Sequence, residues 1–235
     1  MTRWVLAVMS LCACGKVEKL HQDAAADAPV QIDATPDVAP DAPPVDPFVN
    51  GSFEQNYDGW TLHEDSGNPT IGFWGISPST TFVSGTSVHD YTDNVDGVPS
   101  CFNVGTNTVQ VTDGTLAAFN AQSGPERHLL SQDVTLPSAA KMLTFSLAYG
   151  TNAPAFDATN HFLAIEVRDP ATDAVLANLF ITDPTTTPAP PTTLAMTPMT
   201  APIEAYAGQT VRITVDVQAH LTCLFTVVDD FRVTF

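Results

Sequence analysis

A chain of 235 residues with 26 acidic against 8 basic side chains carries a formal charge of -18. Such a surface repels phosphate backbones and anionic headgroups, which excludes nucleic acid as a partner and leaves calcium as the first ion its carboxylates suit. Six histidines form no HExxH pair or other spaced cluster for zinc, and there is no G-x-S-x-G, P-loop or G-x-G-x-x-G, so the expectation is a protein that is not an enzyme.

The chain opens on an export signal, residues 1–13, with Arg3 as a minimal basic region and Trp4 to Leu11 as an apolar run too short to span a bilayer. Leu11-Cys12-Ala13-Cys14 resembles a bacterial lipobox, which implies that Cys14 is lipidated and becomes the new N-terminus; an ordinary secretory signal is the second reading. Gly15 stands where an Asp signals inner-membrane retention in many such lipoproteins, so the resemblance implies the outer membrane or cell surface, with the lipid as the only membrane contact. If Cys12 leaves with the signal and Cys14 carries lipid, Cys101 and Cys223 remain in an oxidising compartment. They are expected to pair, two free buried thiols being the alternative; the bond would close a loop worth about 4 to 5 kcal/mol of chain entropy.

Residues 14–47 form a tether. From His21 to Pro47 the chain repeats Asp, Ala and Pro (Asp23, Asp27, Asp33, Asp37, Asp41, Asp46) and offers little to bury, so it cannot offset the entropy of ordering and is expected to be an extended, disordered spacer.

At Phe48 the pattern changes, and residues 48–235 read as one domain. Leu143 to Tyr149 alternates apolar with small or polar residues as a strand with one buried face must, and so do 161–168, 211–217 and 225–235, with Gln132 to Leu136 as a fifth strand ended by Pro137. Short strands, turn residues between them and no helical periodicity predict an all-β fold, an antiparallel jelly roll or sandwich. Asn68 to Cys101 reads as long loops around one or two strands, and Asp183 to Pro202, rich in Thr and Pro, as a surface excursion, because its missing amide donors exclude a central strand. The acidic run Asp90 to Gly97 fails the EF-hand register: with Gly97 at the sixth position, Asn103 falls where a bidentate Glu is needed. A solvated loop is the expectation there.

The ordered set Val49-Asn50-Gly51-Ser52-Phe53-Glu54, Asp58-Gly59-Trp60, Leu130 to Pro137, Tyr206-Ala207-Gly208-Gln209-Thr210-Val211 and Val227-Val228-Asp229-Asp230-Phe231-Arg232-Val233 resembles the calcium-containing β-jelly-roll carbohydrate-binding modules and the wider galactose-binding-domain-like superfamily. The resemblance covers Phe48 to Phe235. It implies adjacent opening and closing strands with a structural calcium between them, held by Glu54 and by Asp229 or its neighbour Asp230, and a Trp60 packed inside. For a glycan ligand, sugar C–H faces need aromatic platforms. Trp74 and Tyr91, with Tyr57, are the candidates.

The function expected is therefore a monomeric, surface-tethered, non-catalytic module that binds extracellular carbohydrate. Alternatives are a structural or adhesive envelope protein whose partner is another protein, and a glycan-active hydrolase on the same scaffold.

Overall fold

The computed structural model describes residues 45–65, 71–82, 88–89, 96–97, 107–220 and 222–235, all within a compact unit spanning Ala42–Phe235. Cys14, the tether up to residue 44, Tyr91, the rest of the acidic run except Asp96 and Gly97, and Cys101 lie outside the described residues. In chain order the strands are β1 (Thr61–Glu64), β2 (Gly72–Ser77), β3 (Thr80–Phe82), β4 (Val88–His89), β5 (Asp96–Gly97), β6 (Asn107–Val109) and β7 (Ala117–Gln122). They continue with β8 (Glu126–Thr135), β9 (Met142–Thr151), β10 (Phe162–Arg168), β11 (Val175–Ile181), β12 (Thr193–Pro202), β13 (Thr210–Ala219) and β14 (Leu224–Thr234). One sheet has the order β1-β8-β13-β10-β11 and the other β12-β9-β14-β7-β2, every pair antiparallel, with β3-β6 and β4-β5 as two-stranded ribbons. The protein is an all-β antiparallel sandwich of the jelly-roll kind. Among the described residues no helix is long and apolar enough to cross a membrane.

Alternation builds the core between the sheets. Leu163, Ile165 and Val167 of β10 and Val211, Ile213, Val215 and Val217 of β13 meet Leu143, Phe145, Leu147 and Tyr149 of β9. Each such side chain contributes roughly 1.5–3 kcal/mol by leaving water. In β14 the inward set shifts parity: Leu224 and Val228 point in, then Phe231 and Val233. A bulge between Asp229 and Arg232, with Asp230 at φ +57°, supplies the extra residue. Simple alternation across Asp229 and Asp230 is thereby broken.

The β14-β7-β2 part of the second sheet is buried on both faces. Phe73, Val109, Ala117, Phe119, Ala121, Phe225 and Val227 form a smaller core on its far side, with Phe82 of the β3-β6 ribbon packed against it. That double burial explains why β2 is apolar or small on both faces and why the polar residues of β7, Asn120 and Gln122, are themselves enclosed, so that neither strand is half-exposed. β12 runs through the Thr/Pro-rich stretch as an edge strand beside β9. Pro198 and Pro202 are tolerated there because an edge strand can spare amide donors.

The opening segment folds onto the closing strand. Phe53 and Trp60 lie 5.1 Å apart, Trp60 and Phe231 5.1 Å, and Phe145 and Phe231 5.6 Å between ring centres. The Trp60 indole donates to the Asn50 carbonyl at 3.1 Å, so this Trp is packed inside with its one donor satisfied.

Candidate functional site

Glu54 and Asp229 both turn toward the connection from β6 to β7. Asp229, fully buried, accepts from the Thr112 amide at 2.7 Å, the Thr112 hydroxyl at 2.9 Å and the Asp113 amide at 3.0 Å on one oxygen, and from the Asp230 amide at 2.8 Å on the other. Burial raises its carboxyl above the ordinary range despite these donors. Glu54, at the surface, accepts from the Thr115 and Leu116 amides, each at 2.7 Å, and from the Thr115 hydroxyl at 2.8 Å. Partial burial pushes its carboxyl up, but these donors outweigh it and hold the group below its ordinary value. Asp230 pairs with Arg232, whose guanidinium also reaches Asp113 at 2.6 Å.

Calcium needs about six to eight oxygen ligands. The carboxylates of Glu54 and Asp229 are met instead by N–H and O–H donors, and Asp230 is engaged by a guanidinium. No group of three or more His, Cys, Asp or Glu side chains stands where it could hold a metal ion among the described residues. As placed, Glu54, Asp229 and Asp230 do not fit a calcium site.

Trp74 corrects a second expectation. It lies in β2, 3% exposed, within the main core, because the strand it occupies is covered on both faces. It offers no face to a sugar. Tyr91 falls outside the described residues, and Tyr57 is half-buried against the main core. Cys223 precedes β14, its carbonyl accepting from the Thr151 hydroxyl at 2.8 Å.

A cleft among the described residues lies elsewhere, on the outer face of the first sheet, with a volume of about 480 Å³. Strand register lays out its floor in rows. Thr61 of β1 stands opposite Ser131 of β8, and Ser131 opposite Thr214 of β13, so three hydroxyl side chains cross three strands in one line. His63 and Leu129 form the row on one side, Asp133 and Arg212 the row on the other. At the floor Thr214 is 1% exposed and its hydroxyl has no hydrogen-bond partner. A buried polar group left in that state costs roughly 1–3 kcal/mol.

Charges wall the cleft and are already matched. Arg212 donates to Asp133 at 2.7 and 3.2 Å and to Asp173 at 3.1 Å. From beneath, the fully buried Arg168 holds Asp173 at 2.9 Å, Glu166 at 2.7 Å and Asp216 at 2.7 Å, and Asp216 is shared with Arg127 at 2.9 Å. Burial pushes the Asp173 carboxyl up, yet Arg212 and Arg168 outweigh this and hold it below its usual value. Burial raises Glu166 above its ordinary value against the pull of Arg168. Sequence reasoning passed over this site because its polar residues are spread over three strands and form no local motif. The alternating polar positions of 211–217, Arg212, Thr214 and Asp216, were the available signal.

No family model matches the chain, and no curated protein matches its sequence. Among solved structures it is similar to TmCBM61 in complex with β-1,4-galactotriose, at 15% identity over 81% of this chain and 99% of that one, with a TM-score of 0.41. It is similar to the K3 cleaved adhesin domain of Lys-gingipain from Porphyromonas gingivalis at 15% identity, over 78% and 97% of the two chains, with a TM-score of 0.41. A family 16 carbohydrate-binding module matches at 13% identity over 80% and 98%, with a TM-score of 0.36. The strand pairing described above, not these likenesses, defines the fold.

Proposed function

We propose that the chain is a non-catalytic binding module whose outer-sheet cleft takes a neutral, hydroxyl-rich ligand, an extracellular glycan. The observation that carries the reading is the in-register hydroxyl pair on the cleft floor, Thr61 exposed and Ser131 half-buried, with the enclosed Thr214 next in line. Hydroxyls both donate and accept, which suits them to sugar hydroxyls. Among the described residues lining the cleft the arginine is held by two aspartates, so it is not free to recruit a uronate or sialate. An overall charge of -18 opposes anionic polymers as well.

Catalysis lacks support in the same geometry. A general acid needs a carboxyl shifted up toward the working pH and open to the substrate, whereas Asp173 is held down by two guanidiniums and Glu166, raised by burial, is enclosed and bound to Arg168. Contrary to the expectation of an aromatic platform, the described residues lining the cleft include no Phe, Tyr or Trp, so on this reading grip comes from hydrogen bonds rather than stacking.

A glycan array and polysaccharide pull-downs with the whole chain test the reading. Retention of a neutral glycan, lost in Thr61→Arg, supports it; retention of acidic glycans alone, or of none, counts against it. A protein partner is the second reading, favoured by Val175 and Leu176, 48% and 47% exposed beside each other on the edge strand β11. Capture of a defined envelope protein that Leu176→Lys abolishes and Thr61→Arg leaves intact would favour it.

Delivery to the cell surface through a lipidated Cys14 and a bond between Cys101 and Cys223 belong to the same proposal. Metabolic palmitate labelling lost in Cys14→Ala tests the first. Non-reducing peptide mapping tests the second.

A further inference from the structure

The opening segment and the last strand meet at a loop that belongs to neither. Residues 112–116 lead from β6 into β7, and Asp229 grips the start of this loop while Glu54 grips its end. Gly114 sits between them at φ +76°, where a Cβ would stand 2.4 Å from the Glu54 carboxyl carbon, so the side chain lies flat on the bare turn.

We propose that Glu54 and Asp229 latch this loop to both ends of the domain without any cation, and that Arg232 supplies the positive charge which the sequence resemblance assigns to calcium. Donor identity carries the first half. Backbone N–H groups of Thr112, Asp113, Thr115, Leu116 and Asp230 point their positive ends at the two carboxylates, and a cation on the same oxygens would face those dipoles. Hydrogen bonds to an ionised carboxylate are also stronger than neutral ones, which makes amides an adequate substitute for ligation. Charge carries the second half. Asp113, Asp229 and Asp230 crowd the bulge in the middle of β14, and the Arg232 guanidinium bridges Asp113 and Asp230. The negative cluster therefore holds its own counter-charge on the strand that bears two of its members. The bulge in β14 makes this possible, because it turns Asp230 and Arg232 outward together while Phe231 stays in the core.

The test uses the whole chain, melted in millimolar calcium and in excess chelator, with amide exchange followed at residues 112–116. The two melting temperatures are expected to coincide. Glu54→Gln and Asp229→Asn, which put an amide NH2 against N–H donors, should lower melting equally in both media and speed exchange at 112–116 by about tenfold or more. Should either variant fail to fold, Thr112→Val removes a single hydroxyl donor and is expected to lower melting, again with no calcium response. Melting of the unaltered chain that rises with calcium, and stops doing so in Glu54→Gln or Thr112→Val, overturns the latch; so does unchanged exchange at 112–116 in the variants.

Discussion

The Phe231 amide donates to the Gly51 carbonyl at 3.0 Å, and a Cβ built on Gly51 would stand 2.2 Å from the Phe231 carbonyl oxygen. Backbone meets backbone with no room for a methyl. The opening segment is thereby held in register with the closing strand, and the aromatic group of Phe48, Phe53, Trp60 and Phe231 seals the contact.

Gly51→Ala is accordingly expected to destabilise the domain by about 3 kcal/mol or more, since the overlap involves main chain that cannot turn aside. Urea denaturation checks it. A loss under about 0.5 kcal/mol, the size of an ordinary surface substitution, would show that the two segments do not approach this closely.

Arg168→Leu should cost about 3–5 kcal/mol, because it leaves Glu166 buried without its cation and Asp216 with Arg127 alone. Arg212→Ala, at the partly exposed wall of the cleft, should cost about 1 kcal/mol or less. Paired denaturation curves read the contrast. Equal losses would mean that the buried pairs are no different from the surface ones.

Thr226→Val should stabilise the protein by about 1 kcal/mol. Thr226 is fully buried and its hydroxyl has no partner, so the near-isosteric methyl removes an unmet desolvation cost. A lowered melting temperature would show that the hydroxyl is engaged after all.

His161 is buried against Phe156, its Nε2 2.6 Å from the Thr151 hydroxyl, and burial holds its imidazole below the ordinary value of 6.5. The His220 amide donates to its Nδ1 at 3.3 Å, which fixes the proton on Nε2. Between the lowered folded value and 6.5 the unfolded chain binds the extra proton, so stability is present above 6.5 and falls as the pH drops through that window. The melting temperature of the unaltered chain should therefore fall more between neutral and mildly acid pH than that of His161→Gln. Parallel curves would contradict this.

Much of the fold is legible in the residues. The strands around Leu143, Ile165, Val215 and Val228 alternate because one face of each meets the main core, and the motif Asn50-Gly51 with Asp229-Asp230-Phe231 marks the two ends that touch. β2 and β7 escape notice because a second core covers their outer face. Trp74, in a stretch of Gly and Ser, therefore reads as a loop aromatic when it is interior. Of the site, the chemistry of Glu54 and Asp229 is visible but their partners are not: amide donors from 112–116 leave no trace in side-chain identity. The row Thr61, Ser131 and Thr214 is invisible until strand register joins three distant segments.

That row is the binding surface proposed for the cleft. Calorimetric titration of neutral oligosaccharides into the whole chain, its Ser131→Ala variant and its Ser131→Arg variant tests it directly. Saturable binding is expected, insensitive to salt because the ligand is uncharged. It should weaken by about tenfold when the Ser131 hydroxyl is removed and vanish in Ser131→Arg while melting is retained. Affinity that is the same in all three proteins would contradict it.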